Sequence, residues 1–102
     1  MNMPQKPRNS EINLPPARLG ELSALFKRAA DLDTLPALLG ELCTPRELHD
    51  LALRLRLLRM LCDGVPQRKI SAALGVSLCK VTRGSRILKD PESTVKKILL
   101  ET

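Results

Sequence analysis

From Ala17 onward, apolar residues recur every three or four positions, with Leu19, Leu22, Leu25, Phe26 and Ala29 on one stripe. This period predicts an amphipathic helix ending near Ala30. Asp31 to Pro36 breaks the pattern, and a second short helix is expected from Leu35 to Leu42. Thr44, Pro45 and Glu47 then mark a strong start for a third. The threonine can cap, the proline suits the first helical position, and the glutamate three residues on completes a capping box. That helix should run to about Cys62. Its apolar residues, among them Leu48, Leu51, Leu53, Leu55, Leu57, Leu58 and Leu61, spread over more than one face. Alternation from Leu53 to Leu57 resembles a strand locally. Eighteen residues without a β-branched one, capped at one end and closed by Gly64, read as helix instead. A helix apolar on several faces must be covered on several faces. In so short a chain, the cover expected is a second copy of the protein.

Two further helices are expected from Pro66 to Leu74 and from Ser77 to Leu88, with Gly75 as the turn between them. Ser71, four before Gly75, is small enough to let them approach, and Ile70, Leu74, Val76 and Val81 fall where packing residues are needed. Ser77 would cap the second helix. The run Asp90, Pro91, Glu92 repeats the cap-then-proline signal and should start a last helix with Val95, Ile98 and Leu99 as its apolar face. No segment reads as a strand. The fold class expected is all-α, six short helices with short connections. Residues 1–16 hold four of the eight prolines and read as a flexible arm. Residues 17–102 then form one domain, as 102 residues allow.

Charge changes the picture. Between Gly64 and Lys89 lie six basic residues, Arg68, Lys69, Lys80, Arg83, Arg86 and Lys89, and no acidic one. The net charge of the chain is +6, so this segment carries the whole excess. Concentrated positive charge on a helix pair is the footprint of a DNA reader. The pair reads as a helix-turn-helix over about 65–89, whose second helix would enter the major groove. Ser77, Leu78, Cys79, Lys80 and Thr82 would then lie near base edges, with Gln67, Arg68 and Lys69 at the backbone and Arg86 and Lys89 adding charge. An ordinary helical hairpin with a solvated basic face would have the same spacing. Position 84 is irregular. The apolar residue expected three after Val81 is Gly84, and a glycine inside a helix costs about 1 kcal/mol relative to alanine. One reading is that something other than a side chain occupies the gap.

Thr82, Arg83, Gly84 and Ser85, followed by Leu88 and Lys89, with Gln67 and Arg68 upstream and Leu51 to Arg56 before them, resemble the Trp repressor family over roughly Leu35 to Leu100. The resemblance implies an intertwined all-helical homodimer that binds double-stranded operator DNA when L-tryptophan, as corepressor, lies between the core and the reading helix. It implies that Arg54 pairs with the ligand carboxylate, assisted by the Thr44 hydroxyl, that Arg83 stacks on the indole, and that Gly84 lines the slot. A guanidinium suits both tasks, being a planar fork for a carboxylate and a flat cation for a π face. Read without the resemblance, Thr44 is a cap, Arg54 can pair with Asp50 at i−4, and Arg83 can meet a phosphate. Ile87 stands where the family has a serine that helps hold the ligand's α-amino group. The Gly64–Gln67 connection is one residue shorter than in the best-known members, which is closer to Trp-repressor-like relatives whose ligand is not established. Ser71 and Lys80 replace a family lysine and threonine, so the operator sequence does not carry over.

The remaining chemistry is sparse. Cys43, Cys62 and Cys79 are odd in number and lack metal-ligand spacing, and the lone His49 does not complete a zinc site with them. They read as thiols of a reducing compartment. With no apolar run of signal or membrane length, a soluble cytoplasmic protein is expected, with no membrane partner. No nucleophile–base pair, carboxylate dyad or phosphate loop is present, so an enzyme is not expected. The expectation is a sequence-specific DNA-binding transcriptional repressor controlled by L-tryptophan. The alternatives are a helix-turn-helix regulator with no ligand or a different one, and a basic helical adaptor for an acidic protein.

Overall fold

The computed structural model describes residues 15–101. All of the expected arm except Pro15 and Pro16 lies outside them. Six helices follow in order: α1 (Pro16–Asp31), α2 (Leu35–Leu42), α3 (Pro45–Cys62), α4 (Gln67–Leu74), α5 (Leu78–Lys89) and α6 (Thr94–Glu101). The described residues contain no strand. They form two compact units, one holding α1 and α2 up to Leu42, the other running from Cys43 with α3 to α6.

In the first unit, α1 opens on Pro16, one residue before the apolar pattern begins, because a proline needs no hydrogen-bonded N–H there. The helix ends where Asp33 adopts a left-handed backbone, φ 56°, a conformation aspartate tolerates better than most residues. Thr34 closes the joint, its backbone N–H and its hydroxyl both donating to the Ala29 carbonyl at 2.8 and 3.2 Å. Ala29 is buried, whereas Leu19, Leu22 and Leu25 stay exposed.

In the second unit, α3 begins as the sequence predicts. The Glu47 N–H donates to Thr44 Oγ1 at 3.1 Å and the Thr44 N–H to Glu47 Oε1 at 2.8 Å. The Thr44 backbone N–H, helped by its side chain, holds the Glu47 carboxyl below its usual pKa. A depressed carboxylate contributes above its unfolded pKa, and the contribution fades as pH falls through the folded value. At the far end Gly64 turns the chain at φ 81°.

The core is the meeting of three helices. Leu57 of α3, Ile70 of α4 and Val81 of α5 are buried together, with Leu58, Met60, Leu61, Val65, Leu74 and Val76 packed around them. Gly75 supplies the left-handed turn between α4 and α5, φ 63°, a conformation without steric cost only for glycine. Ser71 locks it, its hydroxyl donating to the Val76 carbonyl at 2.6 Å while its own carbonyl accepts from the Val76 N–H at 3.2 Å. A side chain without a hydroxyl at position 71 would lose that bond.

The start of α6 differs from expectation. Asp90, Pro91 and Glu92 form a turn rather than a cap and first helical residues. The residue before a proline is driven to extended backbone, and Asp90 sits at φ −69°, ψ 122°, closing α5. Its carboxylate accepts from the Glu92 N–H at 2.9 Å, an Asx turn. The buried Ser93 takes over as cap, its Oγ accepting from the Lys96 N–H at 3.2 Å.

Gly84 also has a local reason. It is buried, and a Cβ there would lie 2.5 Å from Leu57 Cδ2, 3.2 Å from Leu61 Cδ1 and 3.4 Å from Leu58 Cδ2. The expected gap is thus filled by leucines of α3, and glycine lets the two helices approach. Alanine would add helix propensity of about 1 kcal/mol and incur overpacking of about 1–3 kcal/mol.

Candidate nucleic-acid interface

The exposed side of α5 is set by what its other side buries. Val81, Gly84 and Leu88 face inward, so Cys79, Arg83 and Arg86 point away from the core by the 3.6-residue period. Ser77 caps the helix, its Oγ accepting from the Lys80 N–H at 3.3 Å. Ser77, Leu78, Cys79 and Lys80 are all exposed. A continuous exposed run at a helix start is what a major-groove reader presents. Leu78 offers an apolar surface for a thymine methyl, and Lys80 a donor for guanine O6 and N7.

Beside it, the first turn of α4 presents Arg68 and Lys69 to solvent, with no acidic residue in that turn. No side chain caps α4, and an uncapped helix start directs backbone N–H groups at anions. Gln67 and Thr82 are half-buried, and the Thr82 hydroxyl donates to Gln67 Oε1 at 3.2 Å. Fifteen positions apart, they share no local sequence signal that would have paired them. Arg86 and Lys89 occupy the last turn of α5, where cations also complement the helix dipole.

The expected ligand residues are spread more widely. Thr44 and Arg54 lie ten positions apart along α3, about 15 Å along its axis, so a single chain does not bring them together. Arg54 is exposed and forms no ion pair among the described residues; Asp50 pairs with Arg46 at 3.5 Å instead. Arg83 and Ile87, both exposed, share a flank of α5 at i, i+4. A groove of about 300 Å³ on another flank is lined by Leu61, Cys62, Ser85, Leu88, Lys89, Lys96 and Leu100, and by none of the five expected ligand residues. The described residues hold no cluster of metal ligands, and no helix among them is long and apolar enough to cross a membrane.

Comparison with known proteins agrees with this geometry. The family model for the Trp repressor protein matches residues 17–102. A Trp operon repressor homolog of Vibrio campbellii is 38% identical over 85 residues, covering 79% of this chain and 85% of the relative. One from Vibrio parahaemolyticus is 36% identical, covering 79% and 82%. Another from Actinobacillus succinogenes is 39% identical over 74 residues, covering 70% and 69%. Each of these relatives is a repressor homolog by name. A chain whose described residues hold helices and no strand, with a basic α4–α5 pair, and which the family model matches over residues 17–102, belongs to the Trp repressor family.

Proposed function

We propose that the protein is a homodimeric, sequence-specific transcriptional repressor acting in the cytoplasm, with residues 17–102 as its dimerisation and DNA-binding domain. The α4–α5 pair is the helix-turn-helix, and α5 lies in the major groove of operator DNA. The observation that carries this reading is the exposed run Ser77–Lys80 beside Arg68 and Lys69, on a pair whose underside is locked by Ile70 and Val81. A rigid, basic, acid-free surface suits a polyanion. A second copy accounts for α3, where Leu51 and Leu55 remain 49% and 46% exposed at i, i+4. Dimers of this kind meet successive major grooves about 34 Å apart, the Trp repressor being among the proteins on which that geometry rests.

L-Tryptophan is the proposed corepressor. Arg54 and Arg83, exposed and outside any ion pair among the described residues, are available to a carboxylate and an indole. Thr44 would join them only from the second copy. A reading without ligand control is favoured by two observations. Gly84 already rests on leucines of α3, so α5 is seated by the protein's own side chains, and Ile87 offers no hydrogen bond to an α-amino group.

The chain has no Trp and no Tyr, so emission from added L-tryptophan reports on the ligand alone. Saturable anisotropy of that emission is the result expected of a corepressor. Its absence at millimolar ligand would end the corepressor reading and leave DNA binding intact.

A further inference from the structure

Gln67 is placed to do more than touch the DNA backbone. Its Oε1 accepts the Thr82 hydroxyl across the α4–α5 pair, while its amide NH2 makes no hydrogen bond with the described residues. An amide has two donors as well as its oxygen, so the group can hold Thr82 and an outside acceptor at once. Arg68 and Lys69, exposed beside it, mark that outside as a place for anions. On α5, Thr82 lies one turn from exposed Leu78 and one turn from exposed Arg86 at i±4, so a tether at Thr82 constrains the side of the helix on which Leu78 meets a base.

We propose that Gln67 is a positioning residue for sequence reading, its amide oxygen holding Thr82 while its amide hydrogens bind a DNA phosphate oxygen. This rests on the DNA-binding reading above. Phosphate contacts carry no sequence information themselves but fix register and orientation. Here one neutral side chain joins the phosphate to the reading helix, so losing it blurs discrimination between sequences. Thr82 acts within the protein, as the second half of the tether, rather than at a base edge.

The test uses a duplex enriched from a random pool and a scrambled duplex of the same length. Binding is measured with the unaltered protein, Gln67→Ala, Thr82→Val, the double variant and Arg68→Ala. Gln67→Ala and Thr82→Val should each cut the ratio of enriched to scrambled affinity by about fivefold. The double variant should be no worse than Gln67→Ala, since both remove one tether. Gln67→Ala should keep the salt slope, whereas Arg68→Ala should flatten it by about 1 for each phosphate left without its cation. Unchanged thermal unfolding of both tether variants excludes a general loosening of the core. Additive losses, or an equal weakening on both duplexes with the ratio preserved, would overturn the inference. Failure of the unaltered protein to bind either duplex would instead overturn the DNA-binding reading, and the inference with it.

Discussion

Raising the salt from 50 to 200 mM should weaken operator binding by about 10³-fold. The size follows from the number of cations that can reach phosphates. Arg68 and Lys69 at the start of α4, and Arg86 and Lys89 at the end of α5, are exposed. In the proposed homodimer, neutralising about three phosphates per protomer makes about six, and a slope of about −0.9 per phosphate over a fourfold change in salt gives a loss near 10³. Because the acid-free segment carries the whole net charge of +6, no carboxylate within it offsets the field. Titrations on a duplex at several salt concentrations, plotted as log K against log salt, check this. A flat or shallow line would exclude the polyanion as partner and favour an acidic protein docking on the same face.

Ile70→Ala should destabilise the fold by about 2–5 kcal/mol. Ile70 is fully buried against Leu57 and Val81, and α4 is only eight residues long, too short to hold its shape without tertiary packing. Truncation leaves a cavity at the one point where α3, α4 and α5 meet. For a domain of this size each kcal/mol lowers the melting temperature by about 4–8 °C. Thermal unfolding followed by circular dichroism measures the shift. Leu78→Ala, at an exposed position of α5, is the contrast and should change stability by less than about 0.5 kcal/mol. Comparable losses at both positions would mean that the α4–α5 pair is not braced from beneath.

Local chemistry makes most of the fold legible. The capping box at Thr44 needs only four consecutive residues, and α2 and α3 have the predicted bounds. Gly75 and Ser71 work as the turn spacing implies, because a left-handed turn has few residue solutions. Where two local signals compete, the pattern misleads: Asp90 before Pro91 looks like a cap, yet Ser93 nearer the helix holds the position. Features made by distant residues are harder to see. Gly84 reads as a gap for a ligand, since nothing in its own helix shows that Leu57, Leu58 and Leu61 arrive from α3. Gln67 and Thr82 each point to DNA separately, and only the crossing of α4 over α5 joins them. Arg54 and Arg46 are equivalent i±4 partners for Asp50 in the sequence, and the exposed pair forms with Arg46, an interaction of little energetic weight.

The proposed repressor depends on α5 reading base sequence. Selection from a random duplex pool, followed by affinity measurement at fixed salt, tests it most directly. The enriched duplex should carry two symmetric half-sites one helical turn apart and bind at least about 10³ times more tightly than scrambled duplex. A random duplex that binds as well as any enriched one would contradict the claim.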